Sequence, residues 1–149
     1  MNAFLAPTPA TSRWLTYGAL VGRCIFVAVF AMALSFKLMD INATAAFIAS
    51  AGFPVPLLLA WLAAVFELLL VLCLATGAWF RQAALAAGAY VIFLAFAFHG
   101  PSKWSGNQTE FGFFVDHFTF LAGLLYAAAY GPGRIWLVKR FRADIGAAG

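Results

Sequence analysis

Four runs of about twenty apolar residues each decide what this chain can fold into, because each matches the length that crosses a bilayer core. Hydropathy places them at Thr16–Leu38, Pro56–Phe80, Gln82–Phe98 and Phe111–Tyr130. The runs are continuous rather than alternating, and rich in Ala and Leu, so they read as helices and not as barrel strands. Short connections predict an all-α, membrane-spanning antiparallel four-helix bundle with up-down-up-down topology. Composition supports this: 65% of the 149 residues are hydrophobic and 9% charged, whereas soluble domains carry about 25% charged residues. The chain is read as one domain, 1–149, with no room for a separate soluble module. The first run is longer than a signal-peptide core and no small-residue cleavage site follows it, so it is expected to be a retained span.

Lysine and arginine set the expected orientation. Arg13, Arg81, Arg134, Lys139, Arg140 and Arg142 fall on one side of the bundle, against Lys37 and Lys103 on the other. Both termini are therefore expected in the cytoplasm. The net charge of +4 reports topology and contact with anionic lipid, not nucleic acid. In "GPGRIWLVKRFR" (Gly131–Arg142) the Gly-Pro-Gly ends the last span, and a basic, aromatic tail (131–149) follows that suits the head-group layer. The first exterior loop, "NATAAFIASAGFPVP" (Asn42–Pro56), predicts a short interfacial helix covering one mouth of the bundle. Asn42 would cap it, Gly52 would stop it, and Pro54 and Pro56 would turn the chain into the second span.

Polar residues inside the spans are the sharpest functional signal. Glu67 sits within "LLAWLAAVFELLLVLCLATG" (Leu58–Gly77), where a lone carboxylate costs at least a few kcal/mol. It must have a partner or a proton. By depth along the helices, Arg23 of the first span is the expected partner, since guanidinium and carboxylate pair in bidentate fashion. Arg23 and Glu67 are thus read as an intramembrane ion pair, fixing helix register or handling protons. "GALVG" (Gly18–Gly22) offers a small-xxx-small motif for close packing of the first helix.

A second polar cluster lies at the exterior ends: His99 in "FAFHGPSKW", with Glu110, Asp116 and His117 in "TEFGFFVDHFTF". Glu110 and His117 share a helical face at a spacing of seven, whereas Asp116 points about 100° away from His117. Three readings stand side by side: interfacial hydrogen bonding, the head-group pocket of a quinone-like molecule, and a haem or metal site using His99 and His117. No HExxH or other firm ligand spacing is present, and no catalytic residue is assigned. Phe96, Phe98, Trp104, Phe111, Phe113, Phe114, Phe118 and Phe120 are expected to surround the cluster as an apolar pocket. Cys24 and Cys73 are isolated and expected to be buried, so the paired thiols of a disulfide-exchanging enzyme are missing. The sequon Asn107-Gln108-Thr109 carries no functional weight.

Taken in order, these residues resemble the DoxX family of small four-helix membrane proteins. The resemblance runs over about Gly22–Leu137: Arg23, Phe30 and Lys37 in the first span, "AGFPVP" (Ala51–Pro56), Glu67 followed by "LATG" and Arg81, "FH" at His99, and "AGLLYAAAYGPGR" (Ala122–Arg134). Asp116-His117 stands where many members carry Lys-Asn, which changes a cation into an anion at the exterior face. The resemblance implies a membrane component of an oxidoreductase system in a bacterial inner membrane. Some members belong to a thiosulfate:quinone oxidoreductase in archaea, and others resemble partners of soluble redox or detoxifying enzymes. Two readings follow. One is a quinone-linked redox component that needs a soluble or membrane partner as electron donor; the other is a non-catalytic anchor recruiting a soluble protein. Homo-oligomerisation is left open by both.

Overall fold

A computed structural model describes residues 9–135 and 137. Within them lie five helices and one short turn of 3₁₀ helix: α1 (Pro9–Met39), α2 (Ile41–Ser50), α3 (Pro56–Thr76), α4 (Phe80–His99), the turn Pro101–Lys103, and α5 (Gln108–Tyr130). Four of the helices, α1, α3, α4 and α5, are long and apolar enough to cross a membrane. No strand occurs among the described residues. The second span closes at Thr76 rather than at Phe80, because Gly77 takes a left-handed φ of 77° and its N–H returns to the Cys73 carbonyl. A Cβ at Gly77 would collide with the Leu137 side chain, so the glycine also admits the segment after α5.

The interior is built from small residues and the outside from large ones. Ala60, Ala84, Ala87 and Ala95 are fully buried, while Leu58, Leu62, Leu69 and Leu72 of α3 point outwards. In lipid there is no gain from hiding leucine, so close van der Waals approach of backbones decides which face turns inward. α4 and α5 pack along their whole length, and Gly88 shows why: a Cβ there would meet Leu121 Cδ1 at 3.1 Å. α1 pairs with α3, and α2 lies against α3. Contact between the α1–α3 pair and the α4–α5 pair is much thinner. The main core gathers Phe30, Leu70, Leu74, Val91 and Leu124. A second cluster of Ala45, Ile48, Ala60 and Phe98 fastens α2 over the end of the bundle where α1 closes and α3 begins.

Three local expectations are corrected. α2 starts one residue earlier than its predicted cap. Asp40, not Asn42, is the N-cap, with its carboxylate accepting the Ala43 N–H at 2.8 Å. The glycines of GALVG do not seat a neighbouring helix: a Cβ at Gly22 would meet nothing within 4 Å, and one at Gly18 would meet only Trp14 of the same helix. Cys24 faces outward and Cys73 is half-buried, because α1 shows one side to lipid. Asn107 of the sequon is the N-cap of α5, accepting the Glu110 N–H. Lys139, Arg140, Arg142 and the rest of the tail beyond Leu137 lie outside the described residues.

Candidate functional site

Glu67 lies eleven residues into α3, about 16 Å along the helix, and is 2% exposed. Its partner is Lys37 of α1, with Nζ to Oε1 at 2.9 Å. Tyr90 of α4 donates its hydroxyl to the same oxygen, also at 2.9 Å. Oε2 is buried and accepts no hydrogen bond among the described residues. Three helices thus converge on one carboxylate oxygen.

The expected Arg23–Glu67 pair does not form. Arg23 is buried, but its Nη1 donates to the Pro132 carbonyl at 2.9 Å and its Nη2 to the Ile135 carbonyl at 2.8 Å. The reason is register. Lys37 lies fourteen residues beyond Arg23, about 21 Å along α1, so one carboxylate cannot serve both levels. Arg23 instead holds the segment after α5 against the opposite end of the bundle. The carbonyls there have left the helical ladder and need donors.

The cluster expected around His99 and His117 assembles in part. His99 Nδ1 meets Glu110 Oε2 at 2.7 Å, joining the end of α4 to the first turn of α5. The His99 and His117 rings lie 5.4 Å apart between centroids. His117 Nδ1 donates to the Phe113 carbonyl at 2.6 Å, which leaves Nε2 as the ring nitrogen without a hydrogen-bond partner among the described residues. Trp104 donates to the His99 carbonyl at 2.8 Å and closes the loop beneath it. Asp116 is exposed on α5 and takes no part. No group of three or more His, Cys, Asp or Glu side chains with metal-ligand proximity occurs among the described residues.

Both polar groups border one cavity. It has a volume of about 1030 Å³ and lies between the two helix pairs, beneath α2. Lys37, Asp40, Tyr90, His99 and His117 reach its wall. Apart from Thr44 the rest is apolar: Phe36, Phe47, Phe53, Phe66, Phe93 and Phe98 supply the rings. Of the aromatics expected around the histidines, only Phe98 lines this space. Phe113 lies against the His99 ring, 5.2 Å between centroids, while Phe96, Trp104, Phe111, Phe114 and Phe118 pack on one another, mostly edge to face. Phe36, Phe47, Leu62 and Phe93 are more than half exposed, so the cavity opens on the bundle surface. Sequence reading missed Lys37 and Tyr90 as site residues. A hydroxyl within "AAGAYVIF" has no water to satisfy it in a bilayer, and that was the available signal.

The geometry defines a multi-pass membrane protein with a lipid-accessible cavity and ionisable groups on its wall. The DoxX family model matches residues 18–100, more than half of the chain, and the protein belongs to that family. The match takes in Arg23, Lys37, Glu67, Tyr90 and His99; it ends at Gly100, short of α5 with Glu110, Asp116 and His117. Comparison with curated proteins and with solved structures gives no match.

Proposed function

We propose that this protein is the membrane-embedded component of a redox system, holding a quinone-like molecule in the cavity between its helix pairs while a partner protein supplies or removes electrons. The observation that carries this reading is the cavity itself. An apolar slot of about 1030 Å³ that opens to the bundle surface suits a lipid-soluble ring and tail. Its polar groups stand at two places on the wall, which suits a head group with oxygens at opposite ends. Lys37 spends one donor on Glu67 and has two more to orient a carbonyl. His117 Nε2 is free to take a proton from a hydroxyl or, once protonated, to return it. Glu110 fixes the His99 ring in the same way that the Phe113 carbonyl fixes His117. Glu67 keeps the Lys37 ammonium and the Tyr90 hydroxyl in place. When bound, a quinone-like molecule would supply the two-electron chemistry that these side chains lack.

In this reading the protein sits in a bacterial inner membrane with both termini in the cytoplasm. Arg81 and Arg134 lie at the same end of the bundle as the start of α1 and favour that orientation. Gentle purification from native membranes, followed by solvent extraction, tests the proposal. Wild type is expected to carry about one quinone per chain, and His117→Ala to lose it while the bundle keeps its helicity. Retention unchanged in His117→Ala and in Tyr90→Phe, or no quinone in wild type, overturns the binding role and leaves a membrane anchor.

A further inference from the structure

The other end of the bundle holds a second, smaller cavity, of about 340 Å³, where the start of α1, the start of α4 and the end of α5 meet. Leu15 and Thr16 of α1, Arg81 of α4, and Tyr130, Pro132 and Arg134 are on its wall. Two arginines thus face one small space. Neither forms an ion pair among the described residues, where the ion pairs are Lys37–Glu67 and His99–Glu110. No acidic side chain lines this cavity. Of the chain's five carboxylate side chains, Asp40, Glu67, Glu110 and Asp116 belong to the opposite end or the middle of the bundle, and Asp144 lies outside the described residues. Concentrated positive charge with no counter-charge among the described residues calls for an external anion.

Its position in the fold says which anion. Trp14, Tyr17, Trp79, Tyr126 and Tyr130 are all exposed at this end of the bundle. Aromatic side chains of this kind mark the level of lipid head groups, so the arginines stand where membrane phosphates lie. The volume is too small for a whole phospholipid and sufficient for a phosphate with part of its ester. The acyl chains would run down the apolar outer face below, where Leu15 and Val21 are exposed. Guanidinium forks match phosphate oxygens in bidentate fashion. The segment carrying Arg134 is itself held down by Arg23 through the Pro132 and Ile135 carbonyls, so the site is braced from inside. We infer that Arg81 and Arg134 form a head-group site for an anionic phospholipid, which ties the segment after α5 to the bundle.

The test uses the full-length protein in neutral detergent. Thermal unfolding is followed while a short-chain phosphatidylglycerol, the matching phosphatidylcholine, or inorganic phosphate is titrated in. The expected result is protection by phosphatidylglycerol at concentrations where the other two give little. Arg81→Gln/Arg134→Gln should weaken that protection roughly 30-fold, about five-fold for each arginine lost near the surface. Lys103→Gln, at the opposite end, should leave it unchanged. Should the double variant fail to fold, Arg134→Gln alone is expected to show the five-fold loss. The inference is overturned if phosphatidylcholine protects equally, if inorganic phosphate alone reproduces the full effect, or if the arginine variants bind phosphatidylglycerol as wild type does.

Discussion

Replacing Lys37 by alanine is the most incisive perturbation, because it separates the observed pairing from the one the sequence suggests. At 2.9 Å the gross attraction is about 6 kcal/mol at an effective dielectric near 20. Desolvation offsets much of that, since Glu67 is 2% exposed and the Lys37 side chain 20%. Removing Lys37 leaves a buried carboxylate with Tyr90 as its one donor among the described residues. Stranding a buried charge costs about 3–5 kcal/mol, and the partial exposure of Lys37 places the expectation at the lower end. Glu67→Gln should be milder, about 1–2 kcal/mol, because its amide oxygen still accepts from Tyr90 and the freed lysine can turn into the cavity. Reversible unfolding in mixed micelles, run as a double-mutant cycle, is the assay. Lys37 and Glu67 should couple by about 2 kcal/mol, whereas Arg23 and Glu67 should be additive within about 0.5 kcal/mol. A larger coupling for Arg23 than for Lys37 would refute the reasoning.

Further outcomes follow from single contacts. Gly77→Ala is expected to lower stability by about 1–3 kcal/mol, because it forces a side chain onto a left-handed φ of 77° and into Leu137; a thermal melt with unchanged midpoint would contradict this. Val55 precedes α3 at φ 47° and ψ 51°, an unfavourable region for a β-branched residue, so Val55→Gly should be stabilising by up to about 1 kcal/mol in the same melt. Asp40→Ala should remove the α2 cap at a cost of about 1 kcal/mol. Hydrogen exchange is then expected to rise at the first turn of α2 and not in α5. His99→Ala breaks a partly exposed contact with Glu110, the two side chains being 19% and 26% exposed, so stability should change by only about 1 kcal/mol while quinone retention falls.

The positions of the four spans, the interfacial helix and the family were legible in the chain alone, because bilayer thickness turns hydropathy directly into helix length. Glu67 was legible as a residue in need of company, since a carboxylate among leucines violates the same rule. Its company was not legible. Depth counted along two helices assumes both are straight and level, and cannot choose between Arg23 and Lys37 when each lies on α1. Tyr90 was hidden because its hydroxyl comes from α4, and nothing in one sequence says which faces of α3 and α4 meet. His99, Glu110 and His117 do come together in space, because two helix ends meet, whereas Asp116 was counted by adjacency in sequence and is turned away by the 100° step of the helix. The aromatic surround was legible only in part: Phe113 and Trp104 do touch His99 and Phe98 lines the cavity, whereas Phe96, Phe111, Phe114 and Phe118 pack among the aromatics of α4 and α5 and the loop between them. Sequence thus determined what crosses the membrane and which groups cannot be left alone there. Tertiary packing decided which partner each takes. In lipid the inward face of a helix is chosen by how closely its small residues let a neighbour approach, and that is a property of two helices together.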